Sequence, residues 1–289
     1  MIKIAIISPV KYLAFSEYGD IDMVLTPLII GDQKTATYIN FYKNSHKYKI
    51  LDNGAFEMEK EGVGCNFYDV INAANVIQAN EIILTDYLYE CGKTINAIYN
   101  CIRILDKKDL KGKFILHAVV QGNNKEEWMD CFDKLMAIDE IDVIGLSKLS
   151  VPKCFGLPDE KNGPVAKSRV QAINYIINSG LYKIEKDYLR KNAYRGKRIH
   201  LLGGDNWTSY ELMVLSKYPF IRSIDTSMPI WYGLHRKSID INSGKCKEFL
   251  DKVNLFTSQE IVPEINICIL HNLLVTHKFS KSQAEVIVQ

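Results

Sequence analysis

The chain has 289 residues, 47% of them apolar, 24% charged and 10% aromatic. That mixture excludes a solvated, disordered coil and gives enough length for a substantial core without staples. Thirty-six Lys and Arg against 34 Asp and Glu leave a formal charge of +2, so the total does not announce a nucleic-acid binder.

The N-terminal run MIKIAIISPVKYLAF carries Lys3 inside it and lacks a basic n-region and a small-residue cleavage site. It reads as a first strand and not as a signal peptide. No stretch of about 18 apolar residues is present, so no membrane span and a cytoplasmic location are expected. Seven scattered cysteines, none at CxxC spacing, argue against structural zinc or a disulfide framework.

Eight short apolar runs then follow along the chain: 3–9, 23–30, 48–56, 81–86, 113–122, 142–148, 198–204 and 221–227. Each is rich in Ile, Leu or Val, and Gly, Pro, Asp, Asn or Ser lies within or just after its last few residues. Near-continuous apolar runs suit strands buried on both faces of a parallel sheet. Helical patterns lie between them at Phe67–Gln78, Thr94–Leu105, Lys125–Met136, Pro164–Asn178 and Asn206–Lys217. Asn123 and Asn124, followed by two glutamates, mark a helix start, and Asp205 or Asn206 is a candidate cap for the helix holding Trp207. Eight strands alternating with helices predict an α/β fold, a single-domain (β/α)8 TIM barrel, over residues 1–245. Residues 246–289 form a C-terminal helical extension packed outside it. An open doubly wound sheet is the alternative, but no GxGxxG follows the first strand.

Residues 183–198 hold seven basic and two acidic residues with Tyr188 and Tyr194 interleaved. This block is either a solvated helix face or a phosphate-contacting patch with stacking aromatics.

In such a barrel the chemistry sits at the C-terminal strand ends. Those ends carry Asp52-Asn53-Gly54-Ala55-Phe56, Asp86, Gln121-Gly122, Gly145 with Ser147 and Lys148, Gly203-Gly204-Asp205, and Asp225-Thr226-Ser227. Any one of these polar residues alone is a cap or turn residue. Several converging on one mouth make an acidic, amide-bearing site. Two acceptors and two donors match the edge of guanine, and a further carboxylate is left for attack at an anomeric carbon.

These segments resemble the tRNA-guanine transglycosylases over about residues 48–232. LDNGAFE (51–57) is similar to that family's DSGGFQ segment, and Asp86 stands where the family has its base-reading aspartate. VVQG (119–122), GLS (145–147) and HLLGG (200–204) are similar to its VQGG, GLAVG and HYLMGVG motifs. SIDTSMP (223–229) resembles the FDCVMPTR segment that holds the nucleophile. The zinc motif is absent, Asn123 replaces the second Gly of VQGG, and Pro229-Ile230-Trp231 replaces PTR. These departures look more like the DpdA-type branch, often phage-encoded, which inserts 7-deazaguanines into DNA.

The resemblance implies exchange of guanine for a free 7-deazaguanine such as preQ0, with Asp225 as nucleophile and Asp52 handling the proton. It places Asp86, Gln121, Gly122, Gly145, Leu146 and Gly203 around the base, with Phe56 stacked on it. It implies no cofactor and no metal, and a host-cytoplasmic location if the gene is a phage's. Lys148, Arg195, Arg222 and Arg236 are the candidate nucleic-acid contacts. His117 and His200 lie inside strands and are expected to be satisfied core histidines. Guanine exchange in tRNA, a non-catalytic transglycosylase-like subunit and an O-glycosidase are the other readings; dimerisation stays open.

Overall fold

A computed structural model describes residues 1–30, 34–55, 65–156, 163–179, 197–248, 250 and 254–281. The eight apolar runs form eight strands: β1 (Lys3–Ile6), β2 (Asp22–Leu25), β3 (Lys49–Asp52), β4 (Glu81–Ile83), β5 (Ile115–Val120), β6 (Val143–Ser147), β7 (Arg198–Leu202) and β8 (Ile221–Thr226). All seven ladders among the described residues are parallel, and β1 pairs with β8. The seam between β1 and β2 is spanned by the Ala5–Ile21 bridge and by the Asp20 and Ile21 N–H groups donating to the Ile4 carbonyl. The sheet thus curls into a nearly closed TIM-like barrel, and the open doubly wound alternative is not adopted.

The helices are α1 (Ala36–Asn44), α2 (Phe67–Ile77), α3 (Cys91–Lys107), α4 (Lys125–Ala137), α5 (Ser150–Cys154), α6 (Pro164–Asn178), α7 (Thr208–Leu215), α8 (Met228–Leu234) and α9 (Pro263–Lys281). The strands' period-2 alternation sorts their side chains into two cores. Ala5, Ile21, Met23, Ile50, Ile83 and Val119 fill the barrel interior. Their neighbours Ile4, Leu51, Ile82, Ala118, Ile144 and Ile224 point outward, where the helices cover them. Both faces are therefore apolar, which explains the near-continuous runs.

Local signals start the helices. Asn124 caps α4 by accepting from Glu127 N–H (2.9 Å), and Glu127 Oε2 accepts from the N–H of Asn123, one residue before the cap (2.9 Å), an arrangement close to a capping box. The N-cap of α7 is Trp207, with no side-chain capping bond, so the expected cap Asp205 stands two residues outside that position. Its Oδ1 accepts from Trp207 N–H (2.8 Å), while Oδ2 accepts from Val165 N–H (2.8 Å) at the start of α6. A carboxylate at that helix N-terminus meets both unpaired N–H groups and the positive end of the helix dipole.

The C-terminal extension departs from the expectation of a purely external tail. Helix α9 does pack on α7 and α8, with Ile269 against Gly233. Residues 254–256, however, turn back to line the barrel mouth, anchored where Val10 N–H donates to the Leu255 carbonyl (2.8 Å). No helix among the described residues is long and apolar enough to cross a membrane.

Candidate active site at the barrel mouth

A cavity of about 320 Å³ opens at the C-terminal strand ends. Its polar lining is Asp52, Asn53, Asp86, Gln121, Ser147, Lys148, Gly203 and Asp225, over a floor of Met23, Leu25, Val119 and Leu202. The inward alternation of the strands delivers four of these residues. Asp52 follows Ile50, Gln121 follows Val119, Ser147 follows Gly145 and Asp225 follows Ser223, each two residues further on. Leu88, Asn254, Leu255 and Phe256 complete the rim.

On one side, Asp86 is clasped by two amides. Asn53 Nδ2 donates to Oδ1 (2.7 Å) and Gln121 Nε2 to Oδ2 (2.6 Å). Asn53 is itself fixed by the Leu84 carbonyl (2.7 Å) and by Ala55 N–H (2.9 Å), and Gln121 Oε1 accepts from Tyr89 N–H (3.1 Å). Burial pushes the Asp86 carboxyl above its ordinary value, against the pull of the two amides.

On the other side, Asp225 is held through one oxygen. Oδ1 accepts from Gly203 N–H (2.8 Å) and lies 3.1 Å from His200 Nε2. Oδ2 has no hydrogen-bond partner among the described residues, and the side chain lines the cavity. Burial alone would raise this carboxyl; the His200 bond, the Gly203 N–H and the Arg169 charge outweigh it and bring it below its ordinary value. Gly203 has φ +71, a left-handed conformation that glycine adopts at least cost, and this turn aims its N–H at Asp225.

Arg169 supports that turn from behind. Its guanidinium donates to the Leu202 carbonyl and to the Gly203 carbonyl (2.7 Å), and it pairs with Glu211 (3.3 Å), both side chains being fully buried. Burial dominates at Glu211, whose carboxyl is pushed up to about 7 despite the arginine.

The structure redistributes the residues singled out in the sequence. Asp52, Asp86, Gln121, Lys148, Gly203 and Asp225 all line the cavity. Gly122 does not: a Cβ there would lie 2.5 Å from Trp128 N, so the glycine lets α4 approach its strand. Gly145 lies below the floor, where a Cβ would sit 2.6 Å from His117 Nε2. Leu146 points outward into the shell of helices, as its place between Gly145 and Ser147 requires.

Arg222 is not at the mouth either. It sits near the N-terminal end of β8, bonded to Glu81 by both terminal nitrogens (2.7 and 2.8 Å). Arg169 is likewise away from the mouth, buried behind the Gly203 turn. Arg236 is exposed just beyond α8. Phe56, Arg195 and residues 183–196 of the basic block lie outside the described residues. Of that block, Lys197 is described at the N-terminal end of β7, donating to the Ile138 and Ile141 carbonyls (2.5 and 2.6 Å).

Sequence reasoning left His200 and Asn53 without individual roles and did not weigh Glu211. One signal for the buried ion pair was present: Arg169 interrupts the apolar face Val165, Ala166, Ala172, Ile173 and Ile176 of α6. A charge at those spacings calls for a buried partner. Among the described residues no group of three or more His, Cys, Asp or Glu is placed to hold a metal ion.

Fold and site together define a (β/α)8 barrel with a carboxylate- and amide-lined cavity at the C-terminal strand ends, where enzymes built on this scaffold carry their active sites. In comparisons with known proteins, no family model matches the chain and no curated protein matches it significantly.

Proposed function

We propose that the protein is a base-exchange transglycosylase that replaces guanine in DNA with a free 7-deazaguanine such as preQ0. The observation that carries this reading is the state of Asp225: Oδ1 is held twice, Oδ2 has no partner among the described residues, and the side chain lines the cavity. A carboxylate held below its ordinary value, with one oxygen immobilised and one open, suits attack on an anomeric carbon.

The opposite wall suits a purine. Each Asp86 oxygen accepts one amide bond and keeps a second lone pair for the N1–H and exocyclic N–H of guanine. Gln121 Nε2 has a second hydrogen for O6. A flipped nucleotide leaves the stack at a cost of a few kcal/mol, and the cavity falls within the usual range of about 300–1,000 Å³ for ligand pockets.

In the first half-reaction, Asp225 Oδ2 bonds to C1′ as the bond from C1′ to N9 breaks. The bonding pair leaves with the base, which takes a proton from Asp52. In the second, Asp52 removes the N9 proton of the incoming base. N9 then displaces the Asp225 carboxylate from C1′. Water must stay out, since it would leave an abasic site.

The test is incorporation of labelled guanine into single-stranded DNA, double-stranded DNA and tRNA, with wild type and Asp225→Asn side by side. Label entering DNA with the wild type only is expected. Label entering tRNA alone would transfer the reading to RNA. Absence of label from all three, with the protein folded, would overturn it in favour of a non-catalytic subunit or an O-glycosidase.

A further inference from the structure

A line of hydrogen bonds crosses the barrel interior from its floor to Asp225. Arg222 Nη1 and Nη2 clasp Glu81 (2.7 and 2.8 Å), and Arg222 Nε donates to Ser223 Oγ (3.1 Å). Ser223 Oγ lies 2.7 Å from His200 Nδ1, and His200 Nε2 lies 3.1 Å from Asp225 Oδ1. Register makes the line possible: His200 of β7 pairs with Ser223 of β8, and Asp225 is the next inward residue on β8.

Donor and acceptor counting gives the line a direction. Arginine only donates, so its Nε–H occupies one lone pair of Ser223 Oγ. The hydroxyl has one hydrogen of its own, and His200 Nδ1 is the acceptor beside it. With Nδ1 accepting, the ring hydrogen belongs on Nε2, facing the Asp225 carboxylate. The opposite tautomer would set the Nε2 lone pair against the carboxylate oxygen. The other histidine of the interior does not compete for these groups. His117 stands edge-on to His200, with ring centroids 5.3 Å apart, but its Nδ1 bonds Glu81 (2.9 Å).

The geometry points to Ser223 as a positioning residue: oriented by Arg222, its hydroxyl holds His200 as the Nε2–H tautomer, and His200 in turn holds Asp225 Oδ1 so that Oδ2 is the open oxygen. A hydrogen bond at one ring nitrogen sets which nitrogen carries the proton at the other. Arg222 is thereby assigned an interior task in place of a nucleic-acid contact. The consequence for catalysis rests on the proposed function; the tautomer does not.

The experiment uses the full chain with 15N-labelled histidine and reads the His200 ring nitrogens by long-range 1H–15N correlation without substrate. The His200 signals are assigned by their loss in His200→Gln. Wild type should show a protonated Nε2 and an unprotonated Nδ1. Ser223→Ala should lose that pattern, and Ser223→Thr, which keeps a hydroxyl, should restore it. In exchange assays Ser223→Ala should lower kcat about 10- to 100-fold with KM for the free base unchanged.

A wild-type spectrum with Nδ1 protonated, alone or with Nε2, overturns the assignment whatever happens to Ser223→Ala. An unaltered pattern and unaltered kcat in a folded Ser223→Ala protein does so too. The expected spectra in a protein that exchanges no base would uphold the hydrogen-bond line while removing the transglycosylase reading.

Discussion

Asp86 Oδ2 and Gln121 Nε2 stand 2.6 Å apart in the barrel mouth, so the two side chains proposed to read the base already hold each other. Asp86→Ala takes the acceptor away from two buried amides, Asn53 and Gln121. Each buried N–H left without its acceptor costs about 1–3 kcal/mol. The variant should therefore melt lower than wild type and bind guanine more weakly. Calorimetric melts with and without guanine check both. Unchanged melting and unchanged guanine affinity would remove Asp86 from the site.

His117 and Glu211 should tilt the stability curve in opposite directions over one pH window. Burial pushes His117 down from 6.5 to about 4, so the unfolded chain binds a proton that the folded chain does not. Its contribution therefore falls as pH drops from about 6.5 to 4. Burial pushes Glu211 up from 4.5 to about 7, so the folded chain binds the extra proton. Its contribution falls as pH rises from about 4.5 to 7. Each complete shift corresponds to roughly 3 kcal/mol. Relative to wild type, His117→Gln should make the slope of unfolding free energy against pH more negative, and Glu211→Gln more positive. Urea titrations between about pH 5 and 6.5 read both slopes. Changes of the same sign in the two variants would refute the paired assignment.

Two glycines separate packing from chemistry. In Gly122→Ala the new Cβ would lie 2.5 Å from Trp128 N, a backbone atom that cannot swing aside. Overpacking of this kind costs about 1–3 kcal/mol. The melting temperature should fall while the folded protein keeps its kcat. In Gly203→Ala the backbone is strained at φ +71, and the Cβ meets Lys148 Cδ at 2.5 Å, a flexible side chain. Here the strain of about 1–2 kcal/mol shifts the N–H that holds Asp225, and kcat should fall more than stability. Melting curves and exchange rates on both variants test the division; the reverse pattern would interchange the two roles.

Phe256 is 53% exposed yet lines the cavity rim. Truncation to Ala should change stability by less than about 0.5 kcal/mol. A stacking contact with a base is worth about 1–3 kcal/mol, so affinity for single-stranded DNA should fall at least about fivefold. Fluorescence anisotropy with a labelled oligonucleotide measures this. Wild-type affinity in the variant would confine Phe256 to the rim without a binding task.

Much of the scaffold was legible because its signals are local. The run 48–56 announces a strand by composition, and Asn124 with Glu127 announces a helix start by spacing. The convergence of Asp52, Asp86, Gln121 and Asp225 followed from the parallel fold, since all sit at C-terminal strand ends. Orientation within a strand was less legible. Gly145 and Leu146 are neighbours in sequence, yet one lies beneath the cavity floor and the other faces the helices.

By itself the sequence determined the number of strands, their parallel order and the acidic character of one barrel end, because alternation and turn chemistry act over a few residues. Only the tertiary structure decided which polar groups meet. Glu81 and Arg222 are 141 residues apart and pair because the curled sheet brings β4 and β8 to face each other across the interior. The same curvature turned Arg222 from an apparent surface cation into a half-buried one paired with the buried Glu81. Burial then made it necessary that each charge near it find a partner, and the line from Glu81 to Asp225 is where those partners were found.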